Sequence, residues 1–376
     1  MSDVVLDPPK QTESTNPQSV KFSKNEGFMS TLRARVDEYF DRTGQPQRDV
    51  AKMYVKTATI LLWVAASYVL LVFGASAWWQ AGLLAVSLGL ALSAVGFNIQ
   101  HDASHGAFSR FPLINRLLAM TLDCLGGSSY VWKWKHNVLH HSYTNIAGHD
   151  DDIELGGMGR LSPDLPRHGF HRFQHWYLWF LYGFIAVKWQ WFDDFRNIAE
   201  GKIGSHKIPR PKGWDMAIFV LGKIFFFGMA FVLPMVFHKW YVVLGVYATV
   251  SFVQGVVLAV VFQLAHCVDE AKFLMPEPET GKMEHEWAIH QVLTTVDFAR
   301  KSKVVGWYTG GLNFQIEHHL FPRISHVHYP AVSEIVEETC REFNVPYAAN
   351  ETFGSAVASH YRFLKRMGQP DPVAAG

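Results

Sequence analysis

Three groups of side chains stand at spacings suited to holding metal: His101-Asp-Ala-Ser-His105, His136-Asn-Val-Leu-His140-His141 and Gln315-Ile-Glu-His318-His319. Imidazole suits iron, copper, zinc and nickel, so histidine alone does not name the ion. Histidines four apart on a helix project from one face, one turn apart, which pairs His101 with His105 and His136 with His140. His141 lies about 100° round a helix from His140, and His319 stands in the same relation to His318, so adjacent histidines serve two different ions. Gln315 lies one turn before His319. His266, at the end of an apolar run, can complete the set, although a histidine at a helix C-terminus is also favourable with the dipole. Together these make eight imidazoles, enough for four on each of two ions.

The remaining histidines read differently. His168, His171 and His175 recur at helical spacing but precede a Trp-rich stretch and read as a solvated polar face. His149, before Asp150-Asp151-Asp152, fits a ligand, a headgroup contact or a polar loop. His326 and His328, near Pro322 and Pro330, belong to the surroundings of the ligands or to a loop, and His285 and His290 carry no spacing signal. Soluble di-iron bundles use Glu and Glu-x-x-His, and that motif is absent beside these groups. Asp102, Asp152 and Glu317 are therefore expected to hold the far nitrogens of ligand histidines and fix their tautomers.

The elements that must position these groups follow from hydropathy. Residues 57–76, 79–98, 216–237 and 241–264 are each long enough to cross about 30 Å of hydrocarbon as a helix. The links between them are so short that they form two hairpins. Leu113–Leu125 is too short for a span and follows Pro112. Trp176–Phe192 mixes indoles with Lys188 and Gln190 and reads as a helix lying in the membrane interface. Lys223, inside the third span, reads as a snorkelling cation near the entry face, with a buried functional lysine as the alternative. Lys and Arg gather on the side away from the hairpin turns, which places both termini and all three histidine groups in the cytoplasm. The fold class is thus all-α integral membrane: four transmembrane helices in two hairpins, a cytoplasmic histidine-rich cap for a pair of metal ions, and interfacial helices.

Composition limits the other readings. Of 376 residues, 49% are apolar and 14% aromatic, ample for a large core. Residues 1–28 are polar, without the apolar stretch of a signal peptide, and read as a disordered cytoplasmic tail. The membrane domain covers 29–345, followed by a cytoplasmic segment at 346–376. Cys124, Cys267 and Cys340 are too dispersed for a disulfide framework or zinc ribbon. A net charge of +1 leaves no footprint for nucleic acid.

The motifs His-Asp-x-x-His, His-x-x-x-His-His followed by Ser-Tyr-Thr-Asn, and Gln-Ile-Glu-His-His-Leu-Phe-Pro resemble the three histidine boxes of integral-membrane fatty acid desaturases. The likeness extends over about residues 48–345, and Gln315 opening the third box resembles the front-end, acyl-lipid-type branch. The resemblance implies a non-haem di-iron centre held by His101, His105, His136, His140, His141, His318 and His319. His266 and Gln315 stand at the positions of further ligands. It implies that two ferrous ions, dioxygen and two electrons introduce a cis double bond into a fatty acyl chain, carried on coenzyme A or a lipid. The alternative within the superfamily is a di-iron membrane hydroxylase or ketolase. Unlike many front-end members, the N-terminus shows no fused cytochrome domain and no His-Pro-Gly-Gly. No dinucleotide fingerprint or four-cysteine set is present either, so an external donor such as a ferredoxin or small cytochrome with its reductase is expected. Lys133, Lys135, Lys202, Lys207, Arg210 and Lys212 are its candidate contacts, with a positive flank beside anionic lipid as the equal alternative.

Overall fold

Among the described residues, four helices are long and apolar enough to cross a membrane: Ala51–Gly74, Trp78–His105, Trp214–Phe237 and Trp240–His266. The first begins earlier than expected, because Lys52 and Lys56 are good helix formers and nothing before them breaks the run. The second does not stop at Asn98. It winds on through a π turn at Gly96–Gln100 and carries His101 and His105 in its last turns, until Gly106 closes it at φ 73°. A computed structural model provides these coordinates, and it describes residues 20–24 and 27–370.

The two hairpins stand side by side with their turns together. The rings of Phe73 and Phe237 lie 5.1 Å apart, and His238 Nε2–H donates to the Val72 carbonyl at 2.6 Å. The far ends of the second and fourth spans, carrying His101, His105 and His266, therefore meet at the opposite pole. These two spans also pack closely: a Cβ on Gly89 would stand 2.8 Å from the Val250 carbonyl oxygen. Exposed Leu61, Leu62, Val69, Leu221, Ile224 and Phe225 form the outer surface of the bundle, as expected of helices whose solvent is lipid.

Residues 174–200 form one nearly continuous helical rod, longer than the stretch expected to lie at the interface. Its outer face exposes Trp176, Phe180, Phe184, Trp191 and Phe192, while Leu178, Tyr182 and Ala186 are buried. It crosses the fourth span at Gly183 and Gly255, where a Cβ on Gly255 would lie 2.6 Å from the Gly183 carbonyl oxygen. Between the rod, the second and fourth spans and residues 122–127 lies a cavity of about 330 Å³.

Lys223 does not snorkel. It is buried, and its ammonium donates to the carbonyls of Gly126 (2.6 Å) and Gln190 (3.1 Å) and to Asp194 (2.9 Å). The reason is local: Asp194, the Gln190 carbonyl in the π turn Trp189–Asp193 and the Gly126 carbonyl supply three acceptors that water would otherwise have to provide. The lysine pins the third span to the rod.

The cap grows from both ends of the chain. The helix Phe28–Thr43 lays Phe28, Leu32 and Val36 against Val332 and Val336 of Tyr329–Glu342, enclosing Ile316 and Leu320 of the third histidine group. Most of the expected disordered tail, residues 1–19 and 25–26, lies outside the described residues. Its described part is packed: Val20 is buried, and Lys21 exchanges backbone hydrogen bonds with Gly281 (2.9 Å) and Met283 (2.8 Å). The stretch after 345 is likewise integral, since Phe363 and Leu364 of the helix Phe353–Met367 share a core with Leu178 and Tyr182.

Removing one partner of a buried ion pair costs about 3–5 kcal/mol, largely because the other charge is left unpaired. Lys223→Met should therefore lower the melting temperature in detergent markedly, and Lys223→Met/Asp194→Leu should recover most of the loss. An unchanged melting temperature in the single variant would refute the pinning role.

Candidate metal centre

All eight expected imidazoles converge at the pole where the second and fourth spans end. Every one is buried except His105, which is half-buried. The ligand atoms of His101, His105, His136 and His318 lie within 4.8 Å of one another, as do those of His140, His266 and His319. His141 stands between the two groups, its ring 4.7 Å from His318 and 4.3 Å from His319. The Gln315 amide occupies a fourth corner of the second group, with Nε2 2.9 Å from His266 Nε2 and 3.3 Å from His319 Nε2. The adjacent pair His318-His319 is thus divided between the groups.

The second histidine group is not wound as an α-helix. Residues Lys133–His140 form a π segment, with bonding from i to i+5. His141, five residues after His136, falls one turn below it, and their rings stand 4.9 Å apart. An α-helical reading turns His141 aside from His136; the wider winding lets His136, His140 and His141 all face inward.

Tautomers are set from outside. His140 Nδ1–H donates to Asp150 (3.0 Å), and the same carboxylate accepts the Asn145 backbone N–H (2.9 Å). His319 Nδ1–H donates to Gln291 Oε1 at 2.7 Å. Each therefore turns a lone pair on Nε2 toward the cluster. Burial and the neighbouring imidazoles hold His136, His141, His318 and His319 well below the ordinary imidazole range, in the neutral form that binds metal. For His140, burial lowers the value, but the Asp150 carboxylate outweighs it and the net shift is upward.

This donor set fits a pair of metal ions. Nε2 of His105 and of His140 are buried with no hydrogen-bond partner, and Nε2 atoms oppose each other at 3.1 Å (His101, His136) and 3.0 Å (His141, His318). Unpartnered buried nitrogens are costly, and cations among them remove that cost. Imidazole suits iron, copper, zinc and nickel, and eight imidazoles with one amide provide at least four donors for each of two ions.

Residues 76–350 match the fatty acid desaturase family. A sn-1 linoleoyl-lipid 6-desaturase of Arthrospira platensis is 42% identical over 350 residues, spanning 93% of this chain and 94% of that protein. A protein of the same name from Synechocystis sp. is 41% identical over 355 residues, 94% of this chain and 98% of its own. An acyl-lipid (8-3)-desaturase of Physcomitrium patens is 39% identical over 350 residues, 92% of this chain and 72% of that protein. The chain belongs to the fatty acid desaturase family.

The desaturase supports its histidines with residues other than those expected. Asp102 lies 3.9 Å from His101 and instead accepts His326 Nδ1–H at 2.8 Å, while Lys56 donates to His326 Nε2 at 2.9 Å. Asp152 stands 3.7 Å from His140, behind Asp150, and is engaged by Lys135 at 3.2 Å. Glu317 touches no ligand ring; it faces Asp297 and lies 3.0 Å from the Tyr347 hydroxyl, and burial pushes its carboxyl well above the usual range into the neutral form. Asp150, Asn145, Gln291 and Thr144 escaped the sequence reading, although Asn145 and Thr144 lie in the Ser-Tyr-Thr-Asn run that carries the resemblance. Asn145, at φ 59°, donates its amide to the carbonyls of His266 and Thr294, both at 3.0 Å, tying the second group to the end of the fourth span.

The other histidines lie elsewhere. His149 packs at a tilt against the stacked rings of His206 and Tyr143. His171 and His175 are buried rather than solvated, with His171 bonded to the Gly157 carbonyl at 2.9 Å, and only His168 is exposed. His290, which carried no signal, donates Nε2–H to the Thr144 carbonyl at 2.9 Å.

Partners of ligand histidines commonly contribute 10–100-fold to metal affinity. Asp150→Asn is expected to weaken metal retention by roughly that factor, measured by chelator competition, with the fold preserved in the melting profile. Equal retention by variant and wild type would show that Asp150 does not orient His140.

Proposed function

We propose that this desaturase holds two ferrous ions and uses dioxygen and two electrons to introduce a cis double bond into an acyl chain of a membrane lipid. The new bond would lie between an existing one and the carboxyl end. The observation that carries the reading is the cavity: His101, His136 and Gln315 line it together with Leu92, Leu258 and Ile185. The printed names of the Arthrospira and Synechocystis relatives, lipid 6-desaturases acting on linoleoyl chains, support a lipid-bound substrate and the front-end position.

In each turnover two vicinal hydrogens leave the chain, two electrons and two protons enter from outside, and dioxygen becomes two waters. Bound iron supplies the oxygen activation that cleavage of an unactivated C–H bond demands, which no side chain can. The protein's part is positional. Asp150 and Gln291 keep His140 and His319 oriented, and the apolar walls hold the chosen carbons beside the cluster and limit the water that reaches them. His101, His105, His136, His140, His141, His266, His318 and His319 are the proposed ligands, with Gln315 completing the second group. The excess of Lys and Arg at the cluster pole supports a cytoplasmic position for it and for both termini.

An external one-electron carrier then docks on that face. Lys133, Lys202, Lys207, Arg210 and Lys212 are exposed, and the hairpin bearing Lys202 and Lys207 rests on the loop that leads to Asp150, with Ser205 donating to the Gly148 carbonyl at 2.7 Å. Lys135 is not among the contacts, because its ammonium is engaged by Asp151 (2.6 Å) and Asp152 (3.2 Å) and only 13% of its side chain is exposed.

Protein purified anaerobically after iron-replete growth should contain about two irons per chain, as eight imidazoles at roughly four per ion require. A host expressing the wild type should accumulate a new front-end double bond in its lipids. His140→Ala and His319→Ala should abolish it with the protein still folded, whereas His175→Ala should retain most product. Stoichiometric zinc without iron, or near-normal product from His140→Ala, would overturn the di-iron reading.

For the donor, Lys202→Glu/Lys207→Glu should raise the KM for an acidic carrier several-fold while leaving the KM for lipid unchanged, and added salt should shrink the difference. Equal donor KM in variant and wild type at low salt would remove this face from consideration.

A further inference from the structure

The cavity wall carries amides that a hydrocarbon cannot satisfy. Gln100, Gln254 and Gln263 line it among apolar side chains, and they are only 2%, 5% and 2% exposed. Gln100 Nε2 is buried with no hydrogen-bond partner, and Gln263 Oε1 is equally without one. A buried donor left unpaired bears its whole desolvation cost, and a purely aliphatic occupant would impose that on Gln100. Its position is also particular. It closes the π turn Gly96–Gln100 and immediately precedes His101, so amide and ligand imidazole share one helix end on one cavity.

An acyl chain attached to its carrier offers one strong acceptor, the carbonyl oxygen of the linkage. When the reacting carbons lie between that carbonyl and the first existing double bond, as the proposed function has it, they are separated from the carbonyl by only a few bonds. The carbonyl then enters the cavity with them and loses its water. We propose that Gln100 receives this carbonyl, Nε2–H donating to the oxygen, and that by anchoring the carboxyl end it sets which carbons reach the metal centre. The neighbouring amides serve this role less well. Gln263 presents an unpartnered acceptor, which a carbonyl cannot use. Gln254 lies twelve residues before His266 on the same helix, about 18 Å along its axis, too far to hold a carbonyl whose near carbons are at the cluster.

The inference rests on the proposed activity, and its test separates the two. Purified holoenzyme with donor is given two lipids identical except that the acyl chain is joined by an ester in one and by an ether, lacking the carbonyl, in the other. Wild type should prefer the ester by roughly tenfold or more in kcat/KM and place one double bond in it. Gln100→Leu should reduce the preference to about twofold and yield mixed positions, while Gln254→Leu keeps wild-type preference and position. Independently of turnover, an ester lipid labelled with carbon-13 at the carbonyl should show its infrared carbonyl band shifted to lower frequency on binding wild type and unshifted on Gln100→Leu. Equal use of ester and ether by wild type, full preference in Gln100→Leu, or loss of preference in Gln254→Leu instead would each overturn the role of Gln100. If Gln100→Leu does not fold, the wild-type ester-to-ether ratio alone decides. A wild-type enzyme that desaturates neither lipid would overturn the activity itself, and the anchor with it.

Discussion

The organising constraint is that eight imidazoles must be gathered, almost dry, with ring nitrogens facing one another. No such arrangement is favourable by itself: opposed Nε2 atoms near 3 Å and buried nitrogens without partners cost free energy until cations stand among them. The protein must therefore hold the rings before metal arrives, and it does so from four directions. The second and fourth spans deliver His101, His105 and His266 at their ends, a π segment delivers the middle group, and a short buried helix, Gln315–Leu320, delivers the last. Around them, Asp150, Gln291, Tyr329 and Asn145 fix ring orientation or bind one strand of the assembly to another. The N-terminal helix and the helix Tyr329–Glu342 then close an apolar shell over the third group.

The cavity depends on the same framework. The rod 174–200 meets the fourth span backbone to backbone where Gly183 crosses Gly255, is tied to it again by Tyr247 bonding Trp191 and Gln190, and is held to the third span by Lys223, with the void lying between these contacts. A charge buried in an apolar bundle is a liability unless its partners are supplied in full. Here one carboxylate and two carbonyls meet the three donors of the ammonium, so the pin is satisfied and the wall bearing Trp189 and Gln190 stays in place.

Much of this was legible in the sequence, for identifiable reasons. Four apolar runs give four spans because a membrane helix must satisfy its backbone within itself, and histidine spacing marks the ligands because one helical turn brings i and i+4 together. What escaped the reading depends on contacts distant in sequence. Asp150 and Asp152 are equally plausible beside His140 until the loop closes and only Asp150 reaches it. Gln291 and His290 carry no local pattern, since their partners lie well over a hundred residues away, at Thr144, or across the fold at His319. The π winding of Lys133–His140 was hidden because its sequence fits an α-helix equally well, and the environment selects the wider turn. Lys223 was misjudged for want of knowing that Asp194 would stand opposite.

The crossing of Gly183 and Gly255 also bears on how this protein can change over generations. A contact between two backbones has no side chain to trim, and any Cβ added there would force rod and span apart, so their separation at that point leaves no room for fine adjustment. Mutation that retunes the fit of an occupant must act elsewhere along the void, at residues such as Leu92, Ile185 and Leu258, where size can vary one methylene at a time. The fold thus separates an invariant caliper from an adjustable lining, and new preferences can arise in the lining while the metal-bearing frame stays as it is.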